Sequence, residues 1–100
     1  MKLEDLNNKI ISIQVNEPWE WEYGVLNGRI IEFDNNKLII VLTKSIKGNK
    51  FVSHKLTVSA RYDGESILTL LEKKSLTVGG ALIQEKSNEV DYILIGTLKL

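Results

Sequence analysis

The chain has no cysteine, one proline (Pro18) and one histidine (His54) among its 100 residues. Without cysteine there is no disulfide and no thiolate-held metal. Zinc would then need carboxylates for most of its ligands, but the acids form no EF-hand-like loop, and Glu89 with Asp91 falls short of a ligand set. No metal and no cofactor are expected. The single proline and the lack of any Gly/Ser/Pro tract, repeat or low-complexity segment leave no place for a linker, so residues 1–100 read as one domain. Thirteen Lys and Arg balance thirteen Asp and Glu, so no global field pulls the chain toward phosphate backbones, anionic lipid or an acidic substrate. Eleven of the bases are lysine, and only Arg29 and Arg61 carry the planar fork suited to bidentate phosphate or base recognition. No stretch approaches the roughly eighteen consecutive apolar residues of a membrane span. Acids in Met1-Lys2-Leu3-Glu4-Asp5 stand where a signal peptide has a basic and then an apolar region, so the expectation is a soluble, cytoplasmic protein that does not meet a membrane.

What the chain does have is 43% hydrophobic and 26% charged residues, the composition of a folded domain. Twenty-four residues are Ile, Val or Thr, whose branched side chains suit a pleated surface. The apolar positions recur mostly with period two, which predicts a β-rich fold. Residues 2–8 suggest a short helical turn, followed by a strand in which Ile11, Ile13 and Val15 share a face. Residues 19–33 read as a long strand with Gly24 and Gly28 as places for a bulge. Asp34-Asn35-Asn36-Lys37 is turn chemistry, and a strand over 37–43 pairs back. Leu38-Ile39-Ile40-Val41-Leu42 is apolar on both faces, as expected of a strand covered twice or one that meets a second subunit. After a turn at 47–50, residues 51–60 alternate, with Val52, Leu56 and Val58 facing one way and Ser53, Lys55, Thr57 and Ser59 the other.

The period then changes. Ile67, Leu70 and Leu71 share a helical face, acids open the segment and Lys73-Lys74 close it, predicting one short helix over about 64–73 capped by Asp63 or Ser66. Residues 75–85 and 90–98 return to period two as a terminal hairpin, with Gly79-Gly80 read as a turn or bulge. The expected fold is mainly β: a small antiparallel barrel or strongly curled sheet of six or seven strands with one helix across an end. In residues 3–42, the order Leu3–Asn8, Ile11–Val15, Gly24–Phe33 and Leu38–Leu42 resembles the helix-then-bent-strands opening of Sm-like and other SH3-like barrels. The second half has no Sm-type Arg-Gly signature and inserts a helix between strands. The resemblance implies RNA binding as one possible function.

Three of the seven aromatics fall in Trp19-Glu20-Trp21-Glu22-Tyr23. On a strand, Trp19, Trp21 and Tyr23 share one face and Glu20 and Glu22 the other, a pattern for partner binding or for closing the core. Lys44, Lys47, Lys50 and Lys55 are the only basic concentration and form the alternative nucleic-acid edge, although aromatics to stack bases are missing beyond Phe51. Alternation puts His54 beside Val52, Leu56 and Val58 and turns it away from Ser53, against a catalytic pair, and no nucleophile elbow is present. Gly79-Gly80 lacks the Gly-Lys-Ser/Thr of a phosphate loop. The expectation is a non-enzymatic module that binds a protein or itself, through strand 38–42 or the Trp19–Tyr23 face. Its alternatives are an Sm-like or SH3-like RNA binder and a small-ligand protein or enzyme using His54.

Overall fold

The computed structural model describes residues 2–17, 24–47 and 52–100, with the backbone alone for Asp91 and Tyr92. A 3₁₀ turn, Leu3–Leu6, leads into β1 (Ile10–Glu17), β2 (Val25–Phe33), β3 (Lys37–Lys47) and β4 (Val52–Ala60). One helix, α1 (Ile67–Lys73), separates these from β5 (Ser75–Gln84) and β6 (Val90–Lys99). Each strand pairs antiparallel with the next, and β6 returns to β1, closing a barrel of six strands among the described residues. The mainly β expectation holds, and its two versions resolve in favour of the closed barrel. No helix among the described residues is long and apolar enough to cross a membrane.

Closure follows from period-two patterning. Ile11, Ile13 and Val15 on β1, Leu38, Ile40 and Leu42 on β3, and Leu76, Val78 and Leu82 on β5 all point inward and are buried. Among the described residues every buried hydrophobic side chain is Leu, Ile or Val, with Phe33 packed at the margin. The outward residues of the doubly apolar strand, Ile39 and Val41, are half-buried on the barrel's outer surface.

A six-stranded barrel has a narrower bore than the eight-stranded barrels whose interiors side chains just fill. Three inward positions are accordingly glycine. A Cβ on Gly28 would lie 2.5 Å from the carbonyl oxygen of Val41 and 2.6 Å from Ile40 Cγ2. On Gly96 it would meet the Gln14 carbonyl oxygen at 2.7 Å and Ile13 Cγ2 at 2.8 Å. Gly80 is less confined, since its nearest atoms are the leucine tips Leu94 Cδ1 at 3.0 Å and Leu56 Cδ1 at 3.2 Å.

One end of the barrel is stoppered. Leu6 from the 3₁₀ turn and Ile67, Leu70 and Leu71 from α1 are buried there. The Asn8 N–H donates to the Ile30 carbonyl at 2.9 Å, the Ile67 N–H to Asn35 at 3.1 Å and the Leu100 N–H to Lys74 at 3.1 Å. Of the two predicted caps, Ser66 is used: its hydroxyl accepts the Leu68 N–H at 3.2 Å, and Thr69 Oγ1 accepts the Ser66 N–H at 3.1 Å. Lys74 ends the helix at φ 63°, with its N–H returned to the Leu70 carbonyl at 2.8 Å.

Three sequence expectations are corrected. In β2 the ladder irregularity falls between Ile30 and Glu32 and not at Gly28, which is needed for close approach, while Gly24 precedes the strand. Gly79-Gly80 is neither turn nor bulge; both glycines lie mid-strand in β5, paired with Ile95 and Leu94. In β4 an irregularity between Ser53 and Lys55 reverses the alternation, so Ser53 is buried and Val52 only half-buried.

The β2–β3 turn is held as its composition predicts. Asp34 Oδ1 accepts the N–H groups of Asn36 at 2.7 Å and Lys37 at 2.9 Å. These bonds favour the charged form and hold the Asp34 carboxyl below its ordinary value of 3.8, the Asn36 bond contributing most.

Two predictions follow from this packing. Gly28→Ala and Gly96→Ala should each destabilise the fold by about 2–3 kcal/mol, because a rigid backbone oxygen must move, and Gly80→Ala by about 1 kcal/mol, because leucine tips can turn aside; denaturant unfolding measures all three. For Asp34 the depressed folded-state value means its stabilisation is present above 3.8 and is lost as pH falls through the folded-state value. The melting temperatures of wild type and Asp34→Ala should therefore differ at neutral pH and converge in acid.

Candidate functional site

The barrel is least regular at the end opposite the stopper. From Val41 to Ile46 β3 runs five residues while its partner β4 runs two, Lys55 to Ser53. On its other side, the ladder to β2 stops at Gly28 and Leu42, although β2 extends back to Val25. Residues 43–45 thus leave both neighbours. The result is a concavity of about 300 Å³ bounded by Val25–Asn27 of β2 and Leu42–Ile46 of β3. A second concavity of about 300 Å³ adjoins it on the outer surface, sharing Leu42 and Thr43 and adding Ile10, Arg29 and Val41. Together they form a groove whose size is at the lower end of ligand sites.

Its floor is apolar and its rim polar. Ile10 and Val25 are 75% and 51% exposed. Asn27, Thr43 and Ser45 supply an amide and two hydroxyls. The charged side chains lining the two concavities are Arg29 and Lys44, and no described acid lines either one.

The backbone adds a further feature. The Val15 N–H donates to the Gly24 carbonyl at 2.8 Å and the Ile30 N–H to Lys9 at 3.0 Å, so the even-numbered residues of β2 turn their backbone groups toward β1. Antiparallel alternation then turns those of Val25 toward β3, beyond the last paired position. Continuing the Gly28–Leu42 register sets Ser45 opposite Val25, with no ladder pairing between them. A sheet edge thus opens into the groove.

Trp19, Glu20, Trp21, Glu22 and Tyr23 lie outside the described residues, as does Lys50. The basic edge is split: Lys44 lines the groove, Lys47 lies further along β3 opposite Val52, and Lys55 is on β4 beside Val41. Arg29, which sequence reasoning did not join to this edge, faces the groove. Its place at an outward position of β2 was legible in the alternation; the divergence of β2 from β3 was not.

His54 is displaced from its expected apolar face. It occupies the extra position of the β4 irregularity and is half-exposed, with Nδ1 3.7 Å from Glu85 Oε1, beyond hydrogen-bond reach. Ser53 is fully buried, and its hydroxyl lies 2.6 Å from the Ile83 carbonyl oxygen and 3.1 Å from that of Lys55. The hydroxyl's one proton goes to the nearer carbonyl, that of Ile83, so it serves the backbone beside the bulge and is not presented as a nucleophile. His54 is not among the residues lining the groove. Among the described residues no three His, Asp or Glu come together as a metal site.

No protein family, curated protein or solved structure matches this chain.

If the Ser53 hydroxyl serves the bulge, Ser53→Ala should cost about 1–3 kcal/mol, the range for leaving buried polar groups unpaired. Unfolding in urea measures the loss, and amide exchange at Gln84 and Lys55 should rise with it.

Proposed function

We propose that this protein is a non-enzymatic interaction module that binds a protein partner through the groove between β2 and β3. The observation that carries the reading is the divergence of the two strands past Gly28 and Leu42, beyond which no ladder joins them among the described residues, with Val25 exposed beside the resulting concavity. Strand 38–42 contributes Val41 from its apolar outer face. Exposed Val25 borders the first concavity and exposed Ile10 the second, so each presents apolar surface to an occupant. A phosphate backbone would be drawn to Arg29 and Lys44, but no described aromatic side chain lines the groove to stack bases, which favours protein over RNA. An enzyme built on His54 has less support, since the groove excludes His54 and the Ser53 hydroxyl is already bonded.

The test compares Val25→Glu with Val41→Glu in one chain against Ile93→Glu, which alters an exposed apolar residue outside the groove. Cross-linking in cells, with light scattering of the purified protein, should show one specific protein partner or a second copy lost with the groove variant and kept with Ile93→Glu. Equal retention by both variants refutes the reading.

A further inference from the structure

The groove's chemistry goes further than its shape. We infer that its partner is an extended segment bearing acidic side chains, which adds as a strand beside Val25 and Ser45. This rests on the groove being the interaction site. Two independent features point to this occupant.

The first is the strand edge. Val25 of β2 directs its N–H and C=O across a gap where the register would place Ser45 and where no ladder forms. An unpaired edge offers donors and acceptors at the spacing of an extended backbone, and strand addition uses them for affinity while side-chain pockets supply selectivity. Beside the edge the exposed side chains are Val25, Asn27, Thr43 and Ser45, which meet alternate side chains of the incoming strand.

The second is charge. The whole chain balances at thirteen bases and thirteen acids, yet among the described residues the charged side chains lining the groove are Arg29 and Lys44. Lys55 stands next along the outer row, paired with Val41. Two basic side chains on the described rim of this groove favour acidic partners by charge complementarity. Arg29 can take a carboxylate through two parallel N–H bonds, and Lys44 as a point charge.

The test selects binders for the intact protein from a random decapeptide display library, then synthesises the leading peptide. The selected sequences should be enriched in Asp and Glu among apolar residues. The peptide should shift the amide resonances of Val25–Asn27 and Thr43–Ser45, and should weaken by about tenfold or more against Arg29→Glu with Lys44→Glu, the scale of lost charge-assisted bonds. Both substituted side chains are exposed, so the variant keeps its fold. N-methylation of alternate peptide amides should abolish binding while leaving every side chain in place.

Peptides without acidic enrichment that bind the groove and ignore the charge reversal would overturn the acidic partner but leave the groove standing as the interaction site. Peptides that shift only resonances of the Val90–Ile93 face, or a library that yields no binder, would overturn both. Binding of a uridine oligomer in the groove, displacing the peptide and lost steeply with salt, would overturn the peptide in favour of nucleic acid.

Discussion

The structure depends on the narrow bore of a six-stranded barrel. Closing β6 onto β1 brings Gly96 against the backbone at Gln14, and the β2–β3 seam brings Gly28 against the backbone at Val41. At both seams the space for a Cβ is already occupied by a carbonyl oxygen. Glycine is therefore the condition of closure, and closure removes the edges that an open sheet of such apolar strands would expose. Among the described residues the buried hydrophobic side chains are Leu, Ile and Val, which fill a thin cylinder in layers.

The two ends of that cylinder differ. At one, Leu6, Ile67, Leu70 and Leu71 fill the mouth, and backbone hydrogen bonds from Asn8, Ile67 and Leu100 tie the chain across it. At the other, the ladders slip. Between Val41 and Ile46 β3 runs out of register with β4, and the β2 ladder ends short of Val25. Irregular pairing costs backbone hydrogen bonds, so its concentration at one end next to exposed Val25 supports a binding role for that end. The bulge at His54 belongs to the same end but is satisfied internally by Ser53, which separates it from the groove in chemistry as well as in place.

Much of the fold was legible because it rests on local rules. Period two in Ile11, Ile13 and Val15 marked β1, Asp34 marked its turn through bonds to neighbours two and three residues on, and Ser66 marked the helix start. Where local rules fail, the cause is one. Gly28 and Gly79-Gly80 have the local signature of punctuation, yet Gly28 answers to an atom thirteen residues away in sequence, the Val41 carbonyl oxygen, and Gly80 to Leu94 and Leu56. The face assigned to Ser53 and His54 failed likewise, since one bulge against β5 reversed the alternation. Of the candidate site, Lys44 and Arg29 were legible as bases and Arg29 as an outward residue of β2, while Val25 and Ser45 carried no signal of their own.

By itself the sequence determined the class of fold, because alternation, turn chemistry and helix capping act over a few residues and leave their mark in the order of side chains. It also determined what chemistry is absent, since no arrangement of this chain can supply a thiolate or a second histidine. Only the tertiary structure decided that the sheet closes with six strands, that three glycines line its bore, and that β2 and β3 part beside Arg29 and Lys44. Those outcomes depend on register between strands distant in sequence, which is set by the summed packing of all six at once.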